Sequence, residues 1–207
     1  MELGLEKETL FDYTRETDLW EYLLVAKPDT NVCKRIIEVR QSFCEVYKED
    51  LIFDTVPFLT IASFHARIRM EETLIRWIQR ICSQHKSFTV TLNNYGGFPP
   101  HTIFVRVQNF EPFRQLASKL KVIDQYVQSN GCPEAIHVTR PHVTIADRLG
   151  PPLFNKAMLD YSQKTFHETF QLTELVLSKR SNPFDRCKEV NVFRFYPPDT
   201  NMCIQVA

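Results

Sequence analysis

Two hexapeptides, PFLTIA at residues 57–62 and PHVTIA at 141–146, stand 84 positions apart and share four identical letters. A fifth position exchanges Leu59 for Val143, both apolar, and the sixth sets Phe58 against His142. On a β-strand, residues i and i+2 share a face at a spacing of about 6.5–7 Å. His142 and Thr144 therefore project together, while Val143 and Ile145 turn to the opposite side. Phe58 and Thr60 project in the same way from the other copy. An imidazole beside a hydroxyl suits a phosphate: the ring transfers a proton, and the hydroxyl donates to a non-bridging oxygen. Two such strands related by a pseudo-twofold would flank one phosphate from opposite sides. The plainer alternative is a core histidine on a strand repeated for packing alone. Phe58 has two readings, an apolar filler or a face on which a nucleobase stacks.

Further groups could complete such a site. His65 follows Phe58 by seven residues and, by strand parity, faces the other way. His137 precedes His142 by five, with the wrong parity unless Pro141 breaks the strand. His101 opens a neighbouring strand and is the better geometric candidate. Tyr95, Arg140, Lys179 and Arg180 could supply charge or hydrogen bonds near the mouth. For each of these the competing reading is an ordinary turn or surface residue.

The elements that must carry these residues follow from periodicity. WEYLLVAKP at 20–28 reads as a buried strand closed by a proline. Val32, Ile36, Val39, Phe43 and Val46 recur at helical spacing, with Asp29 or Thr30 as N-cap. PFLTIASFHARI is a strand, and Leu74, Ile75, Ile78, Ile81 and Cys82 mark a second helix. SFTVTLNNYGGF and PHTIFVRV read as two strands joined through a Gly-Gly turn region. Phe113, Leu116, Leu120, Ile123 and Val127 form a third helix, stopped at Asn130-Gly131. PHVTIADRL is the next strand, Pro151-Pro152 opens a fourth helix, and FQLTELVLSKR and EVNVFRFYP are the two closing strands. The order is β-α-β-α-β-β, then α-β-α-β-β. With no linker of shifted composition, the reading is one α+β domain of two pseudo-repeated lobes over residues 1–207, with residues 1–18 a short helix or loose arm.

Composition narrows the classes. The chain has 207 residues, 43% hydrophobic and 24% charged, with 16 Phe and a formal net charge of zero. A zero balance argues against non-specific attraction to nucleic acid or an anionic membrane, though not against a local phosphate site. MELGLEKETL lacks the apolar stretch of a signal peptide, and no run approaches the roughly eighteen apolar residues of a membrane span. Six cysteines without a CxxC pair point to reduced thiols in the cytoplasm rather than to disulfides or a metal site.

From about Trp20 to Tyr196 the sequence resembles the two-histidine phosphoesterase superfamily, which includes 2′-5′ RNA ligase-like and cyclic phosphodiesterase-like proteins. Its mark is an HxT motif on a strand in each of two similar lobes. PHVTIA matches it, PFLTIA matches in all but the histidine, and LVLSKR with VNVFRFYP is similar to the closing strands. The resemblance implies an α+β fold of two pseudo-symmetric lobes, with antiparallel-rich sheets around a central cleft and helices outside. It implies a nucleotide or RNA terminal phosphate as ligand, cyclic or 2′-5′ linked, and a mechanism that requires no metal or nucleotide cofactor. One histidine acts as base and the other protonates the leaving oxygen. Carried over, His142 is the surviving acid or base, and Thr60 and Thr144 are the phosphate-binding hydroxyls. Phe58 stands where the first histidine would, with His101 and Arg140 as further binding candidates. A positioned acid or base contributes about 10²- to 10⁴-fold, so either weak turnover or a binding module without turnover is implied.

Overall fold

The computed structural model describes residues 19–49, 56–182 and 185–197; the proposed arm at 1–18 lies outside them. The first strand, β1 (Leu19–Ala26), alternates so that Tyr22, Leu24 and Ala26 are fully buried. Helix α1 (Thr30–Tyr47) follows, and Asp29 is its N-cap, with its carboxylate accepting from Asn31 and Val32 N–H at 2.9 Å. Strand β2 (Leu59–Arg67) then ends in a 3₁₀ turn at Ile68–Met70 that leads into α2 (Glu71–Ser83). The chain continues through β3 (Phe88–Phe98), β4 (Thr102–Val107) and α3 (Glu111–Ser129). The α3 stop is made as the sequence suggests, with Gly131 at φ 69° and the Cys132 N–H reaching back to the Val127 carbonyl. The short β5 (Ile136–His137), β6 (His142–Ala146), α4 (Pro151–Ser162), β7 (His167–Leu172), β8 (Glu174–Arg180) and β9 (Lys188–Arg194) complete the described chain.

These strands form two antiparallel sheets, β5-β2-β1-β8-β9 and β6-β4-β3-β7. The α+β class and the expected elements hold, with three differences. The Gly-Gly pair lies within β3, and the reversal is made at Pro99–His101, where the Pro99–Pro100 peptide is cis. The glycines serve close approach: a Cβ at Gly97 would meet the Phe154 ring at 2.8 Å, and one at Gly96 the Phe104 ring at 2.9 Å. FQLTELVLSKR is two strands on different sheets, β7 beside β3 and β8 beside β1, divided at Thr173. β5, two residues long, carries no periodicity that would have marked it.

Each sheet draws strands from both sequence halves, so neither half folds back on itself alone. α2 and α3 pack on the first sheet, and α1 and α4 on the second. In the first sheet the helix-backed face carries Tyr22, Leu24, Phe64, Leu175, Leu177 and Phe193, all buried, and the Tyr22 hydroxyl donates to Glu71 of α2 at 2.9 Å. In the second it carries Val90, Leu92, Ile103, Val105 and Val143, facing Phe154 and Tyr161 of α4 and Phe43 of α1. The opposite faces are left for the site. Among the described residues no helix is long and apolar enough to cross a membrane.

Candidate functional site

The two hexapeptides are structurally as well as textually alike. Pro57, Leu59, Ile61 and Ala62 are buried while Phe58 and Thr60 are half-buried; Pro141, Val143, Ile145 and Ala146 are buried while His142 and Thr144 are half-buried. Each copy also carries a β-bulge at its isoleucine. In β2, Thr60 pairs with Val25 and Ala62 with Leu24, leaving Ile61 over. In β6, Thr144 pairs with Phe104 and Ala146 with Ile103, leaving Ile145 over. A bulge bends its strand and re-aims the neighbouring side chains, so both threonines are aimed by the same device. β2 and β6 approach within 8 Å, Cα to Cα. Val25 and Val176, on the helix-free face of the first sheet, are nonetheless buried, which places them where the two sheets close on each other.

His142 sits against two aromatic rings. Its imidazole is 5.0 Å, edge-on, from the Phe98 ring and 4.7 Å from Phe104, and those two rings lie 4.5 Å apart. Phe98 is 51% exposed, an open aromatic face at the rim. The His142 Nδ1 is buried without a hydrogen-bond partner. Burial holds the imidazole pKa below its ordinary value, against the opposing influence of the Arg140 backbone and the Asp147 carboxylate. Behind the strand, Arg40 of α1 donates from Nε and Nη2 to the Thr144 carbonyl at 3.0 and 2.7 Å. Arg40 is only 7% exposed, and burial lowers its pKa to about 10. It ties α1 to the bulge that aims Thr144.

The other candidates fall on both sides of the sheets. Thr60 shares the helix-free face of the first sheet. Phe58 lies one residue ahead of β2, half-buried as His142 is. Arg140 is exposed in the bend two residues before His142. His101 lies in the β3–β4 turn, beyond the strand face of His142. Its Nδ1 donates to the Leu149 carbonyl at 3.0 Å, and the Leu149 N–H donates to the His101 carbonyl at 3.0 Å. It thereby fastens the loop after β6.

Four expectations about the mouth are corrected. His65 faces the same side as Thr60, because the bulge at Ile61 inverts the parity: Val25, Leu23 and Glu21 pair in turn with Thr60, Ser63 and His65. It is nonetheless four strand steps from Thr60, about 13 Å, too far to act on a phosphate held there. Lys179 faces α2, with its ammonium 2.5 Å from Glu71. Tyr95 is buried on the α4 side, edge-on to Tyr161 at 4.7 Å. Arg180 does lie on the helix-free face, but it forks onto Glu21 at 2.6 and 3.0 Å.

His137 pairs with Ala62 and faces α3, with both ring nitrogens buried and unpartnered. Burial lowers its pKa; Asp124 opposes this, Lys121 adds to it, and Glu134 opposes it. His137 and His142 therefore take up a proton less readily in the fold than in the unfolded chain, which protonates its histidines near pH 6.5. Their depressed pKa values give stability that is present above pH 6.5 and lost as pH falls through the folded values. The urea midpoint is expected to drop between pH 7.5 and pH 5.5, and to drop less in His137→Phe.

Two helix-backed antiparallel sheets, presenting matched and bulged strands from their helix-free faces, define the α+β class of the protein. Residues 28–183 match the family model described as the 2′-5′ RNA ligase superfamily, and the chain belongs to that family. Among solved structures, Escherichia coli LigT complexed with 3′-AMP is 16% identical, with 86% of this chain and 98% of that chain covered at a TM-score of 0.62. TT0787 of Thermus thermophilus is 14% identical, with 84% and 97% covered at a TM-score of 0.65. At such identities the likeness is one of fold. No curated protein sequence matches the chain.

Proposed function

We propose that the cleft between β2 and β6 binds the terminal phosphate of a nucleotide or an RNA end, cyclic or 2′-5′ linked, and turns it over weakly. The observation that carries this reading is the shared burial pattern and shared bulge of the two hexapeptides, which aim Thr60 and Thr144 alike. In it the two hydroxyls donate to non-bridging oxygens, and His142 is the one acid or base within the two hexapeptides. Phe58, in the position of the first histidine, transfers no proton, so the paired acid and base of a two-histidine mechanism is incomplete. His101 and Arg140 are outer contacts for the ligand. The reading calls on no metal or nucleotide cofactor. Solved complexes of LigT with 3′-AMP, with phosphate and with NADP+ support it by analogy of fold.

A second reading, a nucleotide-binding or protein-interaction module without turnover, is favoured by the His142 Nδ1. A histidine that works as acid or base is usually oriented by a hydrogen bond at its far nitrogen, and here that nitrogen has none. Both readings treat residues 1–207 as a single two-lobed unit. Both place it in the cytoplasm, in keeping with free thiols at Cys33, Cys44, Cys82, Cys132 and Cys187.

Calorimetric titration with 3′-AMP tests the phosphate seat common to both readings. Thr144→Val keeps the shape and removes the donor, and a hydrogen bond to a charged group is worth about 1.5–3 kcal/mol. An affinity loss of about tenfold or more with an unchanged melting temperature is the expected result. Equal binding by wild type and variant would remove Thr144 from the seat.

A further inference from the structure

On the strand beside His142 stands a charge that periodicity does not single out. Arg106 of β4 is the register partner of His142. Val105 and Val107 on either side of it are buried towards the helices, so Arg106 and His142 leave the sheet on the same helix-free face. Facing residues of an antiparallel pair have Cα atoms about 4.5–5.5 Å apart. The stem of Arg106 lies over Gly96, where a Cβ would come within 3.1 Å of its Cγ and 2.9 Å of the Phe104 ring. Gly96 thus lets an arginine stem and an aromatic ring lie flat beside His142. Arg106 is exposed, and among the described residues its guanidinium has no acidic partner. Arg40 is held by the Thr144 carbonyl and Arg180 by Glu21.

We propose that Arg106 grips the ligand phosphate and selects a dianionic terminal phosphomonoester, a 2′- or 3′-phosphate, over a monoanionic cyclic or internal phosphodiester. The proposal rests on the phosphate-binding reading of the cleft and names its ligand class. A diester offers two non-bridging oxygens and one charge, which the hydroxyls of Thr60 and Thr144 can satisfy between them. A monoester adds a third oxygen and carries about −1.5 to −2 charge at pH 7. The planar guanidinium fork fits that pair of features, giving two parallel charge-assisted bonds. Neither hexapeptide carries an arginine or lysine, and burial disfavours the charged form of His142.

The test is calorimetry at pH 7.5 with 3′-AMP and with 2′,3′-cyclic AMP, on wild type, Arg106→Gln and Arg106→Lys. Wild type is expected to bind 3′-AMP about tenfold more tightly than the cyclic form. Arg106→Gln loses about tenfold for 3′-AMP, the scale of one charge-assisted hydrogen bond, and leaves the cyclic form almost unchanged. Arg106→Lys keeps the charge without the fork and retains part of the preference. Equal wild-type affinities for the two ligands, or an unchanged preference in Arg106→Gln, overturn the assignment while leaving the cleft reading intact. If neither ligand binds wild type, both fall together.

Discussion

Phe58→His raises hydrolysis of a nucleoside 2′,3′-cyclic phosphate by about 10²- to 10⁴-fold over wild type, the contribution of one positioned acid or base. The expectation rests on the equivalence of the two hexapeptides. Position 58 has the half-buried setting of position 142, follows a buried proline, and precedes a threonine aimed by the same bulge. A histidine placed there therefore inherits the aim that β6 gives His142. The exchange removes apolar volume at a half-buried position ahead of the strand, so the cost in stability is small beside the catalytic gain. Adding His142→Ala to Phe58→His returns the rate to the wild-type level, because the acid and the base act as a pair. A Phe58→His protein that folds and binds 3′-AMP yet shows no gain would mean that β2 does not aim its side chain at the phosphate.

Arg40→Ala lowers stability by about 3 kcal/mol, combining hydrogen bonds to a charged donor with the cavity left by a buried side chain. For a chain of this size that corresponds to a fall in melting temperature of about 6–12 °C. The physical point is the acceptor: Thr144 places its hydroxyl on one face, and its carbonyl is held from behind by the guanidinium at 2.7 and 3.0 Å. Arg40→Met separates the two contributions, since it restores most of the volume but none of the donors. It recovers part of the melting temperature and none of the 3′-AMP affinity, because the bulge that aims Thr144 has lost its tie to α1. Full affinity in Arg40→Met would show that the bulge holds its geometry without that tie. Thermal melts and calorimetry on the same preparations read both effects.

Much of this arrangement was legible in the sequence, because it depends on local periods. Helices α1 and α3 repeat at helical spacing, Asp29 and Gly131 punctuate them, and the alternation within PHVTIA puts His142 and Thr144 on one face whatever the tertiary fold. What was not legible depends on pairing between distant strands. The bulge at Ile61 is a relation between β2 and β1, and without it the parity of His65 comes out inverted. Arg106 acquires meaning only through the register of β4 against β6, since an exposed arginine in TIFVRV looks like any solvated strand residue. Lys179 and Arg180 are adjacent in sequence, yet one turns to α2 and the other to the helix-free face. Which does which follows from β8 pairing with β1. Gly96 and Gly97 read as a turn because glycine permits one. Their actual reason, the close approach of Phe104 and Phe154, is a contact between elements.

The central claim is that His142 and Thr144 stand at a single phosphate seat. The most direct measurement is a proton–carbon NMR titration of the His142 ring with 2′-AMP, assigned by its absence in His142→Ala. A saturable shift of that resonance is expected in wild type, and a markedly weakened titration in Thr144→Val. A His142 ring that stays fixed while 2′-AMP saturates the protein would place the ligand elsewhere and contradict the account.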